Sequence, residues 1–294
     1  MIILISIMLI IVLVKSPIFR YSVTHLPTVT FNAFIDIRKY IKFKRWNEFS
    51  GYGRMDIYIA DDNQPFGSGK TLNMVKDAIS IYKNYNDVDI YDFASESWVK
   101  QYVHIISNLA LYGVDYVKLE STSQITDLVN MEYGSNNDIH IYLVLIDELG
   151  RIFNNRDWKT NLPSDLLGAL LQQRKNRLII KGTVQDFSLF DATLRKLSSV
   201  VYVCHKRWRF LVRDIYAATD LERSGYNLRM IPSRGSCCGF ATDRLYNSYN
   251  TNEVVSDLAR NVVEGKQLTN YEVLQSSITN LPYVPKAKRK KRSA

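Results

Sequence analysis

The hydrophobic pattern of the chain alternates between two periods from residue 55 onward. Short apolar runs, typical of buried strands, are separated by longer stretches whose apolar positions recur every three or four residues, as in helices. The predicted strands are DIYIA (56–60), VDIYDF (88–93), YVKL (116–119), IHIYLVLI (139–146), LIIKGTV (178–184), VVYVC (200–204) and RFLVRDIY (209–216). The predicted helices cover 71–85, 121–131, 164–177 and 188–198. This alternation predicts an α/β fold with a mostly parallel sheet flanked by helices.

The first residues of the chain have a different pattern. Residues 2–14, IILISIMLIIVLV, contain one polar side chain, Ser6. Because a helix needs about 20 apolar residues to cross a bilayer, the run spans one only if it extends to residue 19. Lys15 and Arg20 follow the run and no Lys or Arg precedes it, which predicts a transmembrane anchor with the rest of the chain in the cytoplasm. A cleaved signal peptide and a buried helix are the alternatives.

Basic residues are concentrated near the two ends of the chain. The segment FNAFIDIRKYIKFKRW (31–46) mixes apolar and basic positions and is predicted to lie against anionic headgroups, or else to be a core-facing helix with a basic outer face. The tail PKAKRKKRSA holds six of the 38 Lys and Arg residues in its last nine positions, so the body between is only mildly basic although the formal net charge is +9. We expect this tail to be disordered and to contact DNA or acidic lipid, or to be a solubilising end.

The composition excludes a disordered or disulfide-rich protein. Hydrophobic residues make up 46% of the chain, as in globular proteins. The three cysteines include an adjacent pair, Cys237 and Cys238, and have no zinc-like spacing. Reduced thiols in a cytosolic domain are expected.

A glycine-rich stretch, QPFGSGKTL, follows the first predicted strand. It matches the phosphate-binding pattern G-x-x-x-x-G-K-[ST] except that Gln64 replaces the first glycine. In this pattern the lysine reaches the β- and γ-phosphates and the hydroxyl contacts Mg²⁺, while Gln64 and Pro65 can form the entrance turn. The residues predicted to bind ATP are Pro65, Phe66, Gly67, Ser68, Gly69, Lys70, Thr71 and Leu72. The alternative is an ordinary glycine-rich turn before a helix.

Two acidic residues, Asp147 and Glu148, come directly after the apolar run 139–146. A carboxylate at such a strand end can hold Mg²⁺, and a following glutamate can polarise the attacking water. We therefore predict Thr71 and Asp147 as metal ligands, and Glu148 together with Lys70 as catalytic residues. Helix caps are the alternative reading of this acidic pair.

Further candidates follow the next predicted strand. Gln185 is placed to sense the γ-phosphate or to orient water. Arg174, Arg177 and Arg195 are candidates for an arginine finger that reaches a neighbouring subunit, although each could equally be a solvated loop or helix residue.

These segments together resemble a known family. FGSGKTL, LIDELGRIF and LLQQRKNRLIIKGTVQDFSLFDATLRKL, taken in this order, resemble the zonular occludens toxin-like (Zot) domain, which includes the filamentous-phage assembly ATPases of the FtsK–HerA group. The resemblance spans about residues 53–215. It implies a RecA-like P-loop NTPase, with a homo-oligomeric, hexameric ring that handles single- or double-stranded DNA and phage coat or assembly proteins. Gln64 departs from the family pattern, as does an anchor placed before the ATPase domain.

The sequence therefore predicts an ATP- and Mg²⁺-dependent P-loop ATPase, a single-pass protein of the inner or cytoplasmic membrane. It would be a motor for virion assembly and extrusion, DNA packaging or DNA transfer. A nucleotide or small-molecule kinase and a non-hydrolysing ATP-binding membrane scaffold are the alternatives. The predicted divisions are a membrane anchor (1–19), a basic juxtamembrane segment (20–50), an ATPase domain (51–220), a C-terminal extension (221–281) and a basic tail (282–294).

Overall fold

The computed structural model describes residues 15–131, 137–153, 164–250, 268 and 270–283. They belong to two units. The smaller unit holds the described residues up to Glu48 together with Asp89–Trp98, and the larger unit holds the remainder. The division into anchor, juxtamembrane segment, ATPase domain, extension and tail stays a prediction.

The described elements alternate as the hydrophobic pattern indicates. The strands are β1 (Arg54–Ala60), β2 (Val88–Asp92), β3 (Ser97–Ser107), β4 (Asp115–Lys118), β5 (Ile139–Ile146), β6 (Leu178–Thr183), β7 (Val200–Arg207), β8 (Phe210–Ala217), β9 (Gly235–Phe240) and β10 (Ile278–Asn280). The helices are α1 (Pro17–Thr24), α2 (Leu26–Lys42), α3 (Lys70–Tyr85), α4 (Ser123–Val129), α5 (Leu149–Ile152), α6 (Ser164–Leu171), α7 (Ala192–Leu197), α8 (Ala218–Arg223), α9 (Asp243–Tyr246) and α10 (Tyr271–Ser276). Short 3₁₀ turns lie at Arg45–Asn47, Phe187–Leu189 and Leu228–Met230.

One sheet organises the larger unit, with strand order β10-β4-β3-β5-β6-β1-β7-β8-β9. The pairs from β4 through β3, β5, β6 and β1 to β7 are parallel. The pairs β10–β4, β7–β8 and β8–β9 are antiparallel. The predicted α/β fold with a mostly parallel sheet is confirmed. Because β6 lies between β1 and β5, the ends of three strands that carry candidate site residues meet at one edge of the sheet.

Both faces of the central strands are buried, which explains why β5 is a continuous apolar run. Tyr142, Val144 and Ile146 of β5 belong to one hydrophobic cluster. The alternate residues Ile141, Leu143 and Leu145 belong to another, which also includes residues of α3. The strand is thus held from both sides, and its last residue, Ile146, places Asp147 at the edge of the core.

Several features differ from the predicted elements. The helix predicted over 188–198 begins only at Ala192, after the 3₁₀ turn at Phe187–Leu189. β3 was absent from the prediction because its first half, SWVKQYV, mixes polar and apolar residues, yet it lies beside β5 in the sheet. The helix predicted over 164–177 ends at Leu171 and continues as turns, with Arg177 in the left-handed region at φ 50°. Beyond residue 220, where no periodicity was recognised, the described residues form β9, β10, α9 and α10.

The N-terminal region requires a correction. The predicted anchor falls mostly on residues 1–14, which lie outside the described residues. In the part of the chain that is described, no helix is both long enough and apolar enough to cross a bilayer. The predicted transmembrane helix and single-pass membrane location are contradicted by this finding. The basic segment forms most of α2, which has no buried residue. The basic tail from residue 284 also lies outside the described residues.

Candidate nucleotide-binding site

The glycine-rich stretch forms a loop between β1 and α3. After β1, a turn is closed by the main-chain N–H of Gln64, which donates to the main-chain carbonyl of Asp61 at 2.8 Å. Gly67 and Gly69 then adopt left-handed φ values of 68° and 82°, which side chains with a Cβ rarely tolerate. Helix α3 begins at Lys70 and is 16 residues long, so the first N–H groups of a full-length helix point into the loop.

Gln64, the residue that replaces the first glycine of the pattern, connects this loop to a neighbouring strand. Its side-chain oxygen accepts a hydrogen bond from the main-chain N–H of Lys206 in β7 at 2.9 Å. A glycine could not form this bond. The loop entrance is therefore fixed by a side chain, and the departure from the pattern has a structural role.

The loop contains a buried polar atom that lacks a partner. Ser68 is 1% exposed, and its hydroxyl oxygen has no hydrogen-bond partner in the described structure. An unsatisfied buried hydroxyl is costly unless a ligand or water completes it. Together with the left-handed glycines and the helix N-terminus, this hydroxyl fits a loop shaped for phosphate oxygens.

Lys70 and Gln185 lie across the loop from each other. The Lys70 ammonium donates to the Gln185 side-chain oxygen at 3.0 Å. Burial lowers the pKa of Lys70 from its ordinary value, and the carboxylates of Asp147 and Glu148 oppose that shift. A partly desolvated cation with one neutral partner keeps most of its capacity to bind an anion.

Asp147 accepts two hydroxyl hydrogen bonds at the end of β5. Thr71 donates to one carboxylate oxygen at 2.9 Å, and Thr183 at the end of β6 donates to the same oxygen at 2.5 Å. The main chain of Asp147 is fixed by Asn108 after β3, whose side chain accepts from its N–H at 2.8 Å and donates to its carbonyl at 3.1 Å. Residues of α3 and β6 thus hold the carboxylate, and a residue after β3 holds the main chain.

This arrangement fits Mg²⁺. Hydroxyl and carboxylate oxygens are hard ligands, and Mg²⁺ in nucleotide sites usually takes only one or two from the protein and the rest from water and phosphate. The described residues contain no group of three or more His, Cys, Asp or Glu that could hold a metal ion by themselves. Thr71 and Asp147 are the residues that would hold the ion.

Glu148 is presented by an unusual backbone conformation. Its φ is 54°, in the left-handed region, which is uncommon for a residue with a side chain. Its N–H donates to the Thr183 hydroxyl at 2.9 Å, and its carboxylate lies 3.8 Å from Arg151. The side chain lines the same cavity as Lys70 and remains 42% exposed, as a residue that contacts water must.

These groups surround an open cavity of about 300 Å³. It is lined by Gly67, Ser68, Gly69, Lys70, Thr71, Leu72, Asp147, Glu148, Thr183, Gln185, Lys206, Tyr246 and Tyr249. Asn108 and four of these lining residues, Thr183, Lys206, Tyr246 and Tyr249, were not predicted. Thr183 ends a predicted strand and could have been considered, whereas the two tyrosines lie where no pattern was recognised.

The tyrosines and Lys206 form one wall of the cavity. The Lys206 ammonium lies 4.8 Å from the centre of the Tyr246 ring, a cation–π distance. Tyr249 is buried, which raises the pKa of its phenol, and the negative charge of Asp147 raises it further. The hydroxyl therefore stays protonated and can donate a hydrogen bond.

Other predicted residues occupy different positions. Pro65 and Phe66 are exposed on the loop, and Leu72 turns into the core at 3% exposure. Arg174 is exposed in the turns after α6, beside Gly53 at the amino end of β1, and so lies away from the cavity of its own chain. Whether it serves a neighbouring subunit stays a prediction.

Arg195 does not have the position that an arginine finger needs. It is 7% exposed, and its guanidinium donates to the carbonyls of Ser188, at 2.9 Å, and Phe190. Glu222 lies 3.7 Å from it. Such a buried guanidinium holds the loop before α7, and we no longer assign it the finger role.

Comparison with known proteins places the chain in a family. No sequence among the curated proteins matches it. Among solved structures, the chain is similar to the N-terminal domain of zonular occludens toxin from Neisseria meningitidis, with 15% identity and a TM-score of 0.40 over 68% of this chain and 100% of that one. It is also similar to the genome packaging NTPase B204 from Sulfolobus turreted icosahedral virus 2 in complex with ATP-gammaS, with 10% identity and a TM-score of 0.35 over 65% of this chain and 98% of that one.

The family profile gives the stronger result. The profile of the zonular occludens toxin (Zot) family matches residues 62–226. This range is more than half of the chain and contains the glycine-rich loop, the acidic pair and Gln185. The protein therefore belongs to the Zot family.

Proposed function

We propose that this protein binds Mg²⁺·ATP and hydrolyses it, and that hydrolysis drives phage particle assembly or DNA movement. The observation that carries the proposal is the hydrogen bond from Thr71 to Asp147, because it joins the hydroxyl of the phosphate loop to the carboxylate of a second strand at 2.9 Å. A glycine-rich turn without this function would have no need for a strand-end carboxylate at its hydroxyl. Membership of the Zot family supports the same activity.

The polar residues used in the proposed reaction have distinct parts. The loop N–H groups and Lys70 bind the triphosphate and stabilise the charge that develops in the transition state. When bound, Mg²⁺ would neutralise phosphate charge. Thr71 and Asp147 keep oxygen ligands at the position where the ion is needed.

We assign Glu148 the role of orienting and polarising the attacking water. It lies one residue after Asp147, its main-chain N–H donates to the Thr183 hydroxyl, and its side chain lines the same cavity as Lys70. Gln185 is bonded to Lys70 and would exchange this bond for one to the γ-phosphate or to the water.

A ring of subunits would complete the site. Among the described residues that line the cavity, the cations are Lys70 and Lys206, and there is no arginine. Phosphoryl transfer is commonly assisted by an arginine supplied from a neighbouring subunit. Arg174, which is exposed and away from the cavity of its own chain, is our candidate for this role in a homo-oligomer, in keeping with the hexamer that the family resemblance implies.

The test is Glu148→Gln in the full-length protein. We expect this variant to bind Mg²⁺·ATP as the unchanged protein does, while turnover falls by at least about 100-fold, the usual effect of losing a general base. Binding would be followed with a fluorescent ATP analogue and turnover by phosphate release.

Glu120→Gln is the matched control. Glu120 is exposed just after β4, at the carboxyl edge of the sheet, but it does not line the cavity, so both measurements should be unchanged. Turnover of Glu148→Gln at the unchanged rate would reject the role of Glu148. Failure of the unchanged protein to bind ATP would reject the proposal itself.

A further inference from the structure

Three large aromatic side chains are exposed together at one edge of the sheet, where β7 and β9 end and β8 begins. Trp208 is 70% exposed, Phe210 46% and Phe240 45%. Their ring centres are 5.6 to 5.9 Å apart, in tilted and edge-to-face contacts. We call these residues the aromatic triad. Contiguous exposed apolar patches often mark sites where a protein binds a partner or a ligand.

The sheet topology places the triad at the same edge as the nucleotide cavity. Trp208 lies in the turn between β7 and β8, with φ 55°, and Phe210 pairs with Phe240 across β8 and β9. β7 is parallel to β1, so the turn that follows β7 lies on the side where β1 leads into the phosphate loop. Both features belong to the larger unit.

The surroundings of the triad are positively charged. Phe240 also lines a groove of about 270 Å³ whose other lining residues include Lys76, Lys83 and Arg244 and no Asp or Glu. The Lys76 ammonium lies directly over Gly239, next to Phe240. Arg207 and Arg209 flank Trp208 in sequence, and Arg209 is paired with Asp243 at 2.6 Å. The groove therefore offers three cations with no carboxylate among its lining residues.

We propose that the triad and this groove bind single-stranded nucleic acid, with bases stacked on the rings and phosphates held by the cations. The combination of exposed rings and a basic groove is the physical requirement for such binding. A duplex would present phosphates to the cations but keep its base faces stacked inside, so the rings would gain nothing from it. The inference rests on the proposed function, because it names the polymer on which the ATPase acts.

The structure also connects this surface to the nucleotide cavity. Lys206 lies two residues before Trp208. Its main-chain N–H donates to the Gln64 side-chain oxygen, and its ammonium lies over the Tyr246 ring. Six residues after Phe240, the chain reaches Tyr246 in the cavity wall. Nucleic acid that moves the β7–β8 turn would therefore move both the loop entrance and this wall. We expect single strands to stimulate ATP hydrolysis through these contacts.

The experiment measures binding of a fluorescent oligothymidylate of about 30 nucleotides to the full-length protein by anisotropy. Trp208→Ala and Phe240→Ala should each weaken binding by about 5- to 150-fold, the range for loss of one stacked base. Arg244→Ala should weaken it and lower the slope of log affinity against log salt by about one. None of these changes should alter basal hydrolysis measured without nucleic acid, whereas stimulation by the oligonucleotide should be lost.

Two controls use exposed residues beyond the opposite end of β8. Met230→Ala removes an apolar side chain that is 73% exposed, and Arg229→Ala removes an exposed cation. Both should bind the oligonucleotide as the unchanged protein does. Circular dichroism and thermal unfolding of every variant would establish that the fold is retained.

The inference is overturned if the unchanged protein does not bind the oligonucleotide, if triad variants that remain folded bind it normally, or if a duplex of equal length depends on the triad to the same extent. It is also overturned if the triad changes alter only the sedimentation coefficient, since the surface would then be a contact between copies of the chain. If the triad variants lose binding but no form of the protein hydrolyses ATP, the proposed function fails and the nucleic-acid surface stands.

Discussion

Polar and charged side chains lie at both ends of strand β1, but they are paired with one another at one end and only partly paired at the other. Near its amino end, Asp56 is fully buried and accepts from Lys181 at 2.7 Å and from Arg54 at 2.8 and 2.9 Å. Beyond its carboxyl end, the Ser68 hydroxyl is buried without a partner, and the partly buried Lys70 has one neutral side-chain partner. The same strand thus supports one cluster that is complete and another that is not.

The complete cluster extends onto α3 and β8. Asp77 of α3 accepts from Tyr58 at 2.7 Å and from Arg213 at 2.5 Å, and its carboxylate lies 4.0 Å from Lys181. Buried charges are tolerated when each has opposite charge and hydrogen bonds around it. This cluster connects the phosphate-loop helix to the sheet, and each of its two carboxylates is paired with a cation.

The comparison indicates how to distinguish structural from functional polar groups in this fold. At the amino end the charges satisfy one another, so removing one should damage the fold. At the carboxyl end the groups are incompletely satisfied by the protein, so removing one should damage ligand binding and leave the fold intact. Three changes test this distinction, beginning with the largest expected effect.

Asp56→Asn should lower the free energy of unfolding by about 3–5 kcal/mol, because it leaves the buried Lys181 without its closest counter-charge. Urea unfolding followed by circular dichroism would measure the change. Asp147→Asn, the same substitution at the other end, is the matched control: it should alter the unfolding free energy far less and lower ATPase activity by about 10- to 100-fold. Equal stability losses for the two variants would remove the distinction between the two ends.

The buried pair His104 and His140 extends the comparison to side chains that the fold accommodates in their neutral form. Their ring nitrogens are 3.0 Å apart. Burial lowers the pKa of His104 to about 3, helped by His140, and burial lowers that of His140 to about 4. Because both pKa values lie below the unfolded value of about 6.5, the unfolded chain takes up protons first as pH falls.

Stability should therefore be complete above pH 6.5 and decline toward pH 4. For one histidine the slope is about 1.4 kcal/mol per pH unit, or about 2 kcal/mol between pH 6.5 and 5. Urea unfolding at several pH values would show this decline, and His104→Phe should reduce the slope. His25→Phe, at an exposed position, should retain it. A slope unaffected by His104→Phe would mean that carboxylates, not this pair, govern the acid response.

Gln64→Ala should have the smallest effect. It removes the hydrogen bond to Lys206 at the loop entrance, worth about 1 kcal/mol, so the KM for ATP should rise by about fivefold. Steady-state kinetics would measure it, with Asn63→Ala as control, since Asn63 contacts only Asp61 within the turn among the hydrogen bonds found there. An unchanged KM would show that the loop entrance needs no side chain.

Much of the fold followed from local patterns. β5 has the predicted bounds of 139–146, and α3 begins one residue before its prediction. Both were recognised because a buried strand and an amphipathic helix each have a characteristic hydrophobic pattern over a short stretch of sequence. β3 was not recognised, since its neighbours in the sheet, not its own composition, make it a strand. β9 is mostly exposed and contains GSCCG, so it depends on pairing with β8.

The sequence by itself determined the phosphate loop, the acidic pair and the parallel sheet, because each is encoded by residues that are close together in the chain. The tertiary structure alone decided how Gln64 is used, since its partner Lys206 is 142 residues away. It also brought Thr183, Tyr246 and Tyr249 to the cavity and buried Arg195, which the sequence had offered as a finger. Contacts between distant residues depend on how the strands are ordered in the sheet, and no local pattern records that order.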